Sequence, residues 1–312
     1  MSVTDQPRGG AVCRNRGQSR AMISDVRQGK RPSEGSLLRF FALTYLVTWT
    51  CFVAAVALSG SLPPGTGLGP GISALVLLGT FAPSLVALGL TARAEGGTGV
   101  RALLSRLFEW QVSARWYVFA VGFMAAIKLA AALAQRIVAG AWPRFGFEAW
   151  YVMAAATVFS TVIGGQAGEE IGWRGYALPR LAARFGLAGA SIVLGVIWAA
   201  WHLPLFYLRG ADTYGQSFPV YLLQVTALSV AMAWLYWRTH RSLLLTMLMH
   251  AAINNTTGIV PSIARTATNP FAPSASLLSW LATVLLWIAA VYFLVRMRKA
   301  ELTVRLGVGE SA

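Results

Sequence analysis

Apolar and polar positions divide the chain into a polar leader and eight long apolar runs: Leu37–Ser59, Ile72–Ala92, Trp116–Gln135, Trp150–Gly168, Leu187–Leu208, Phe218–Trp237, Ser242–Gly258 and Leu277–Val295. Each run approaches the roughly 20 residues that a helix needs to cross a bilayer. The pattern predicts an all-α, polytopic membrane bundle of about eight transmembrane helices. Residues 1–36 hold Arg, Gly, Ser and Gln without clustered aliphatic side chains, which reads as a disordered basic leader. The membrane domain is expected over 37–299, followed by a short tail over 300–312. Between the first two runs, Gly60–Gly71 contains Pro63 and Pro64 and reads as a turn. Arg93–Arg115 carries Leu103, Leu104, Leu107, Phe108 and Trp110, a stretch suited to the membrane interface. No internal repeat is visible.

Composition sharpens this picture. The chain is 56% hydrophobic and 12% charged, against about 25% charge in a soluble domain, and that excludes an ordinary water-soluble globule. The two cysteines, Cys13 and Cys51, provide neither a disulfide framework nor a cysteine zinc site. Ala55-Val56-Ala57 resembles a signal-peptidase site, yet the run before it is longer than the usual h-region, so the segment is expected to stay.

A net charge of +15 would fit nucleic acid if it formed a basic face on a polar domain, but here the arginines separate apolar runs. No nucleic-acid partner is expected, and the charges read as topology signals. With the N-terminus inside, 21 of the 26 Lys and Arg residues fall in the segments that face the cytoplasm. Both termini are therefore expected to be cytoplasmic, in a multi-pass protein of a bacterial cytoplasmic membrane.

Polar groups held in apolar surroundings are the functional candidates, because each costs free energy to keep there. The set comprises Lys128, the run Glu169-Glu170-Ile171-Gly172-Trp173-Arg174, His202, and His250 with Asn254 and Asn255. His240 lies between Arg238 and Arg241 and reads as a solvated turn residue. Glu170 and Arg174 are four residues apart with the acid first, the favourable order for an ion pair on one helix face. Glu169 is turned about 100° away from that pair and is free to face a cavity. Trp198 and His202, like His250 and Asn254, are also four apart, so each pair shares a face. Two imidazoles, a carboxylate and a carboxamide from three spans can hold and deprotonate a water, then stabilise a tetrahedral oxyanion.

In order along the chain, Glu169-Glu170-x-x-x-Arg174, Trp198-x-x-x-His202 and His250-x-x-x-Asn254 resemble the motifs of the CPBP family of intramembrane proteases. That family, also called Abi or CAAX protease and bacteriocin-processing, includes the Rce1-like prenyl-protein endopeptidases. The resemblance covers residues 150–258 by motif, with Trp198 where the family often has Phe. It implies an intramembrane endopeptidase acting on a membrane-associated peptide or a prenylated protein C-terminus. Glu169 and His202 then activate water, His250 and Asn254 stabilise the oxyanion, and Glu170 and Arg174 support them. No cofactor is favoured. A zinc version, with Glu169, His202 and His250 as ligands, ranks second, since the chain lacks His-Glu-x-x-His.

Other readings stay open. The Glu170–Arg174 pair also reads as a stitch at a helix end, and the histidines as core groups bonded across helices. Trp173, Trp198 and Trp201 read as packing or interface aromatics, Lys128 as snorkelling or lining a cavity. Gly164, Gly165 and Gly168 read as points of close helix approach. A transporter or proton relay, or a non-catalytic bacteriocin self-immunity protein, would also carry intramembrane Glu and His. Depth poses a further question, because straight spans put Glu169 near the inner surface and His202 roughly 22 Å along its helix. A meeting of the two requires the Glu169–Arg184 helix to dip inward, or the fifth span to begin beyond Leu187 and tilt.

Overall fold

The computed structural model describes residues 34–60, 68–146, 149–256 and 269–306. Most of the leader read as disordered, most of the Gly60–Gly71 turn, the end of the seventh run and the end of the tail lie outside the described residues, while Glu34–Ser36 begin the first helix. Among the described residues all regular structure is helical. The helices are α1 (Glu34–Ser59), α2 (Pro70–Leu104), α3 (Ala114–Ala139), α4 (Trp150–Ile163), α5 (Gly165–Glu170), α6 (Leu178–Trp201), α7 (Phe218–Arg238), α8 (Leu243–Asn255) and α9 (Leu277–Leu306). A π-helical segment, Ile171–Ala177, joins α5 to α6, and short 3₁₀ turns follow α2 and α6.

Every one of the eight apolar runs contains a helix, and the all-α membrane bundle expected from the pattern is what forms. Six helices are long and apolar enough to cross a membrane. The fourth and seventh runs give the shorter α4 and α8, of 14 and 13 residues. At about 1.5 Å per residue each reaches roughly 20 Å, short of a hydrocarbon core of about 30 Å. The fourth run breaks at Gly164, whose backbone is extended at φ −76°, ψ −176°. The polar turn bearing Gln166, Glu169 and Glu170 follows directly.

Proline and glycine set how α5 is held. Pro83 stands inside α2 and has no N–H to offer the carbonyl four residues back. The Thr48 hydroxyl of α1 donates to that Gly79 carbonyl instead, at 2.8 Å, which keeps the backbone group satisfied where water is absent. α5 and the π-helical segment then pack directly on the α2 backbone. A Cβ on Gly172 would lie 2.5 Å from the Pro83 carbonyl carbon, and one on Gly168 2.9 Å from the Phe81 Cα. Ser84 Oγ donates to the Ala167 carbonyl at 2.8 Å across the same seam. Gly165 and Gly168 thus have the close-approach role read from the sequence.

Gly186 resolves the question of depth. It adopts φ +69°, ψ 167° within α6, a left-handed φ that costs a glycine little. The chain reverses there: the Trp173 and Trp201 rings meet at 5.8 Å, and Trp198 reaches Glu169 at 2.6 Å. A straight helix would hold residues this far apart in sequence about 40 Å apart. Residues 165–185 therefore run back along 187–201, which is the inward dip required for Glu169 and His202 to approach. At the bend the Leu187 N–H donates to Glu301 Oε1 of α9 at 2.5 Å.

The segments read as sharing one membrane side gather at one end of the bundle. Arg180 bonds Glu95 at 3.3 Å, Ser242 Oγ donates to the Glu109 carbonyl at 2.6 Å, and Glu301 holds the Gly186 bend. Phe218 N–H to the Pro270 carbonyl, 2.7 Å, ties the opposite end. Arg174 is a correction to the charge count, since it is fully buried rather than a loop charge. Within Arg93–Arg115, Leu103 is buried while Phe108 and Trp110 stand exposed. Lys128 is 2% exposed with Nζ buried and unbonded, so it does not snorkel to the surface.

Candidate active site

Trp198 is the hub of the candidate site. It lies one turn before the end of α6, and its indole N–H donates to Glu169 Oε2 at 2.6 Å. The Arg174 guanidinium sits over the same indole, 4.2 Å from the ring centroid, and the His250 ring meets it edge-on at 5.2 Å. His202 is 5.8 Å from it, centroid to centroid. Three motif segments from separate helices thus converge on one tryptophan side chain. Its reading as a packing aromatic is corrected here, because a buried indole N–H is a directional donor and it is spent on a carboxylate. Trp173 and Trp201 do pack in the core, against Phe40 and Phe52 respectively.

The Glu170–Arg174 pair is likewise more than a stitch at a helix end. Both side chains are 0% exposed, with Arg174 Nη1 2.8 Å from Glu170 Oε1. The same oxygen is 2.9 Å from His250 Nδ1. Glu170 therefore links a cation on its own helix to an imidazole on α8. Breaking a pair held this deep leaves an uncompensated charge, at a cost of about 3–5 kcal/mol. Glu169 itself is buried, 6% exposed, and feels the charges of His250, Glu170 and Arg174.

Local backbone geometry fixes the His202 ring. As α6 ends, the His202 N–H bonds the Ala199 carbonyl at 3.1 Å in a tightened turn, and the Trp198 carbonyl takes His202 Nδ1 at 2.8 Å. A carbonyl only accepts, so Nδ1 carries the proton and Nε2 presents a lone pair. Pro204 then prevents the helix from continuing. From α1, Tyr45 OH donates to the Ile197 carbonyl at 2.5 Å and Trp49 Nε1 to the Trp201 carbonyl at 3.2 Å, which holds this end of α6 in place.

Glu169, Glu170, Arg174, His202 and His250 are thus brought together around Trp198. Asn254 stands one turn beyond His250 on α8 and is exposed. Two further groups were not among the sequence candidates. The Tyr221 ring of α7 meets His202 at 5.5 Å, and its phenol interacts electrostatically with Glu169. Gln166 stands three residues before Glu169 on α5 and is buried.

The donor chemistry of Glu169, His202 and His250 is of the His₂Glu kind that catalytic zinc uses. Among the described residues, however, no three His, Cys, Asp or Glu side chains form a group able to hold a metal ion. One Glu169 oxygen is committed to Trp198. The three residues do not fit a zinc centre as they stand.

Comparison with known proteins follows the same outline. Residues 148–256 match the family model described as type II CAAX prenyl endopeptidase Rce1-like. That stretch runs from just before α4 to the end of α8 and contains the whole cluster. Residues 148–256 are thus similar to an Rce1-like domain of the CPBP family, as the three motifs implied. A protein of Methanococcus maripaludis, CAAX prenyl protease 2, is 25% identical over 225 residues, which cover 69% of this chain and 81% of that protein.

Proposed function

We propose that the chain is an intramembrane endopeptidase of glutamate type, which hydrolyses a membrane-associated peptide or a prenylated protein C-terminus. The single observation that carries this reading is the buried Glu169 carboxylate, oriented through one oxygen by Trp198, whose ring also borders His202 and His250. Its second oxygen takes the proton of a water whose oxygen attacks the scissile carbonyl carbon. The His202 Nε2 lone pair accepts a hydrogen bond from that water and aligns it. His250, turned to Glu170 through Nδ1, and the Asn254 carboxamide stabilise the oxyanion that forms. On collapse the C–N bond breaks, and the proton held by Glu169 passes to the leaving amine.

One observation favours the zinc version: both imidazoles commit Nδ1 to an oxygen acceptor, as metal-bound histidines commonly do. It ranks second because the three side chains do not converge as ligands. No cofactor is required by the proposed steps. The working location is a bilayer, in our reading a bacterial cytoplasmic membrane with both termini in the cytoplasm.

The test is cleavage of a reporter peptide by the protein in proteoliposomes. Glu169→Gln keeps the shape and removes the base, so the rate is expected to fall at least about 10²-fold with unchanged folding. Full cleavage by Glu169→Gln overturns the reading. Chelation separates the versions, since a zinc enzyme loses metal and activity together and the glutamate enzyme keeps both its fold and its rate.

A further inference from the structure

Away from the candidate site, three arginines gather where α3 begins and where α7 and α9 approach their ends. The Arg115 and Arg238 guanidiniums stand over the same Trp116 ring, 5.2 and 5.6 Å from its centroid. Arg238 also lies over Trp234 and Trp237, at 5.6 and 5.8 Å, and it feels the positive charges of both Arg115 and Arg296. Aromatic contacts tie the three helices together at this level. The Phe293 ring of α9 stacks on Trp234 of α7 at 5.6 Å and meets Phe119 of α3 edge-on at 5.8 Å. The fold therefore holds three like charges on one packed aromatic support.

Like charges within electrostatic reach repel, and the arrangement calls for a counter-charge. The chain does not supply one. Among the described residues no carboxylate pairs with Arg115, Arg238 or Arg296. The acids at this end of the bundle are engaged elsewhere: Glu95 with Arg180, Glu109 with His240 at 3.9 Å, and Glu301 with the Leu187 N–H. The cluster is also open. Arg115 and Arg296 are exposed and Arg238 is half-buried, and of the Arg238 nitrogens only Nε is buried without a partner.

Depth decides which anion fits. Tryptophans concentrate at the level of lipid headgroups, and the three around Arg238 stand near the ends of helices long and apolar enough to cross a membrane. One turn deeper, Val118 of α3 and Tyr292 of α9 are exposed and offer an apolar surface to acyl chains. A phospholipid carries charge above and hydrocarbon below in that same order, whereas a soluble phosphate would use the arginines alone.

We propose that Arg115, Arg238 and Arg296 bind the headgroup of a net-anionic phospholipid, with its phosphate among the three guanidiniums and its chains along the exposed side chains beneath. The lipid neutralises the repulsion and so links the ends of three helices. This site is separate from the Glu169 cluster and stands whether or not the chain is a peptidase.

The test is native mass spectrometry of the full chain in detergent with added phosphatidylglycerol or phosphatidylcholine, read as the Kd of the first lipid bound. The wild type is expected to bind phosphatidylglycerol at least about tenfold more tightly. Arg115→Gln and Arg296→Gln change exposed side chains, and each is expected to weaken phosphatidylglycerol about fivefold, the worth of one arginine at an anionic surface, without moving phosphatidylcholine. Arg298→Gln, two residues along α9 and outside the cluster, is the control and is expected to keep the wild-type Kd. Millimolar glycerol 3-phosphate is expected to leave the lipid bound.

Equal affinity for the two lipids overturns the proposal. So does an equal loss in Arg298→Gln and Arg296→Gln, because any charge at that surface then counts alike. Displacement of phosphatidylglycerol by millimolar glycerol 3-phosphate overturns it in favour of a site for soluble phosphate.

Discussion

The two sides of the candidate site are built differently. On one side Glu169, Trp198, Arg174, Glu170 and His250 form a closed chain of contacts, every member buried. On the other, Asn254 is exposed and His202 is half-buried with Nδ1 bonded to the Trp198 carbonyl. The first side is tied together by its own contacts, with only Glu170 Oε2 and Arg174 Nε buried and unbonded, and so it holds geometry before any substrate arrives. The second keeps capacity in reserve at His202 Nε2, which is what a group that meets water must do. Preorganised polar groups of the first kind act without reorganising during the reaction.

That division can be broken most severely at Arg174. Arg174→Met leaves the Glu170 carboxylate buried without its cation, and a loss of about 3–5 kcal/mol in stability is expected, read as a lowered Tm in detergent. Arg174→Met with Glu170→Gln removes both charges and is expected to recover part of the loss. On the open side, Asn254→Asp replaces a donor with an acceptor that repels developing negative charge. It is expected to lower kcat by roughly 10²–10³ with little change in substrate affinity and none in Tm. Wild-type activity in a folded Asn254→Asp protein removes Asn254 from the oxyanion role.

A smaller effect is expected where the two sides join. Trp198→Phe keeps the ring under Arg174 and deletes the N–H that orients Glu169, so kcat is expected to fall about tenfold, the value of one hydrogen bond to a charged group. The KM should hold, because the indole faces the base rather than the peptide. Cysteine tags sharpen the comparison without altering activity: tags in 93–115 should label from the cytoplasm and tags in 269–274 from outside. The reverse pattern overturns the orientation.

Much of the closed side was legible in the sequence, and the reason is local. Glu170 and Arg174 pair through helical spacing alone, and Glu169 is set apart from them by a single residue of rotation. What the spacing could not carry was contact across the fold. The bond from Trp198 to Glu169 spans 29 residues and exists because Gly186 reverses the chain, a left-handed glycine that leaves no mark in a hydropathy pattern. The same reversal explains why straight spans put Glu169 and His202 at different depths.

The short α4 and α8 were read as full spans because composition marks apolar runs and is silent on where a backbone turns. Gln166 and Tyr221 were missed because a lone Gln beside glycines, or a Tyr in an apolar helix, has no motif to stand in. A polar residue one turn before a candidate acid is the signal that would have found Gln166.

The Gly186 bend is closed by Glu301, a residue 114 positions later in the chain than the Leu187 N–H it accepts from. During synthesis, Glu169 and Trp198 leave the ribosome long before that carboxylate does. The bend is therefore complete only once the final helix has entered the bilayer and docked. The order of translation thus delays the complete bend, and with it the assembled candidate site, until the rest of the bundle surrounds it.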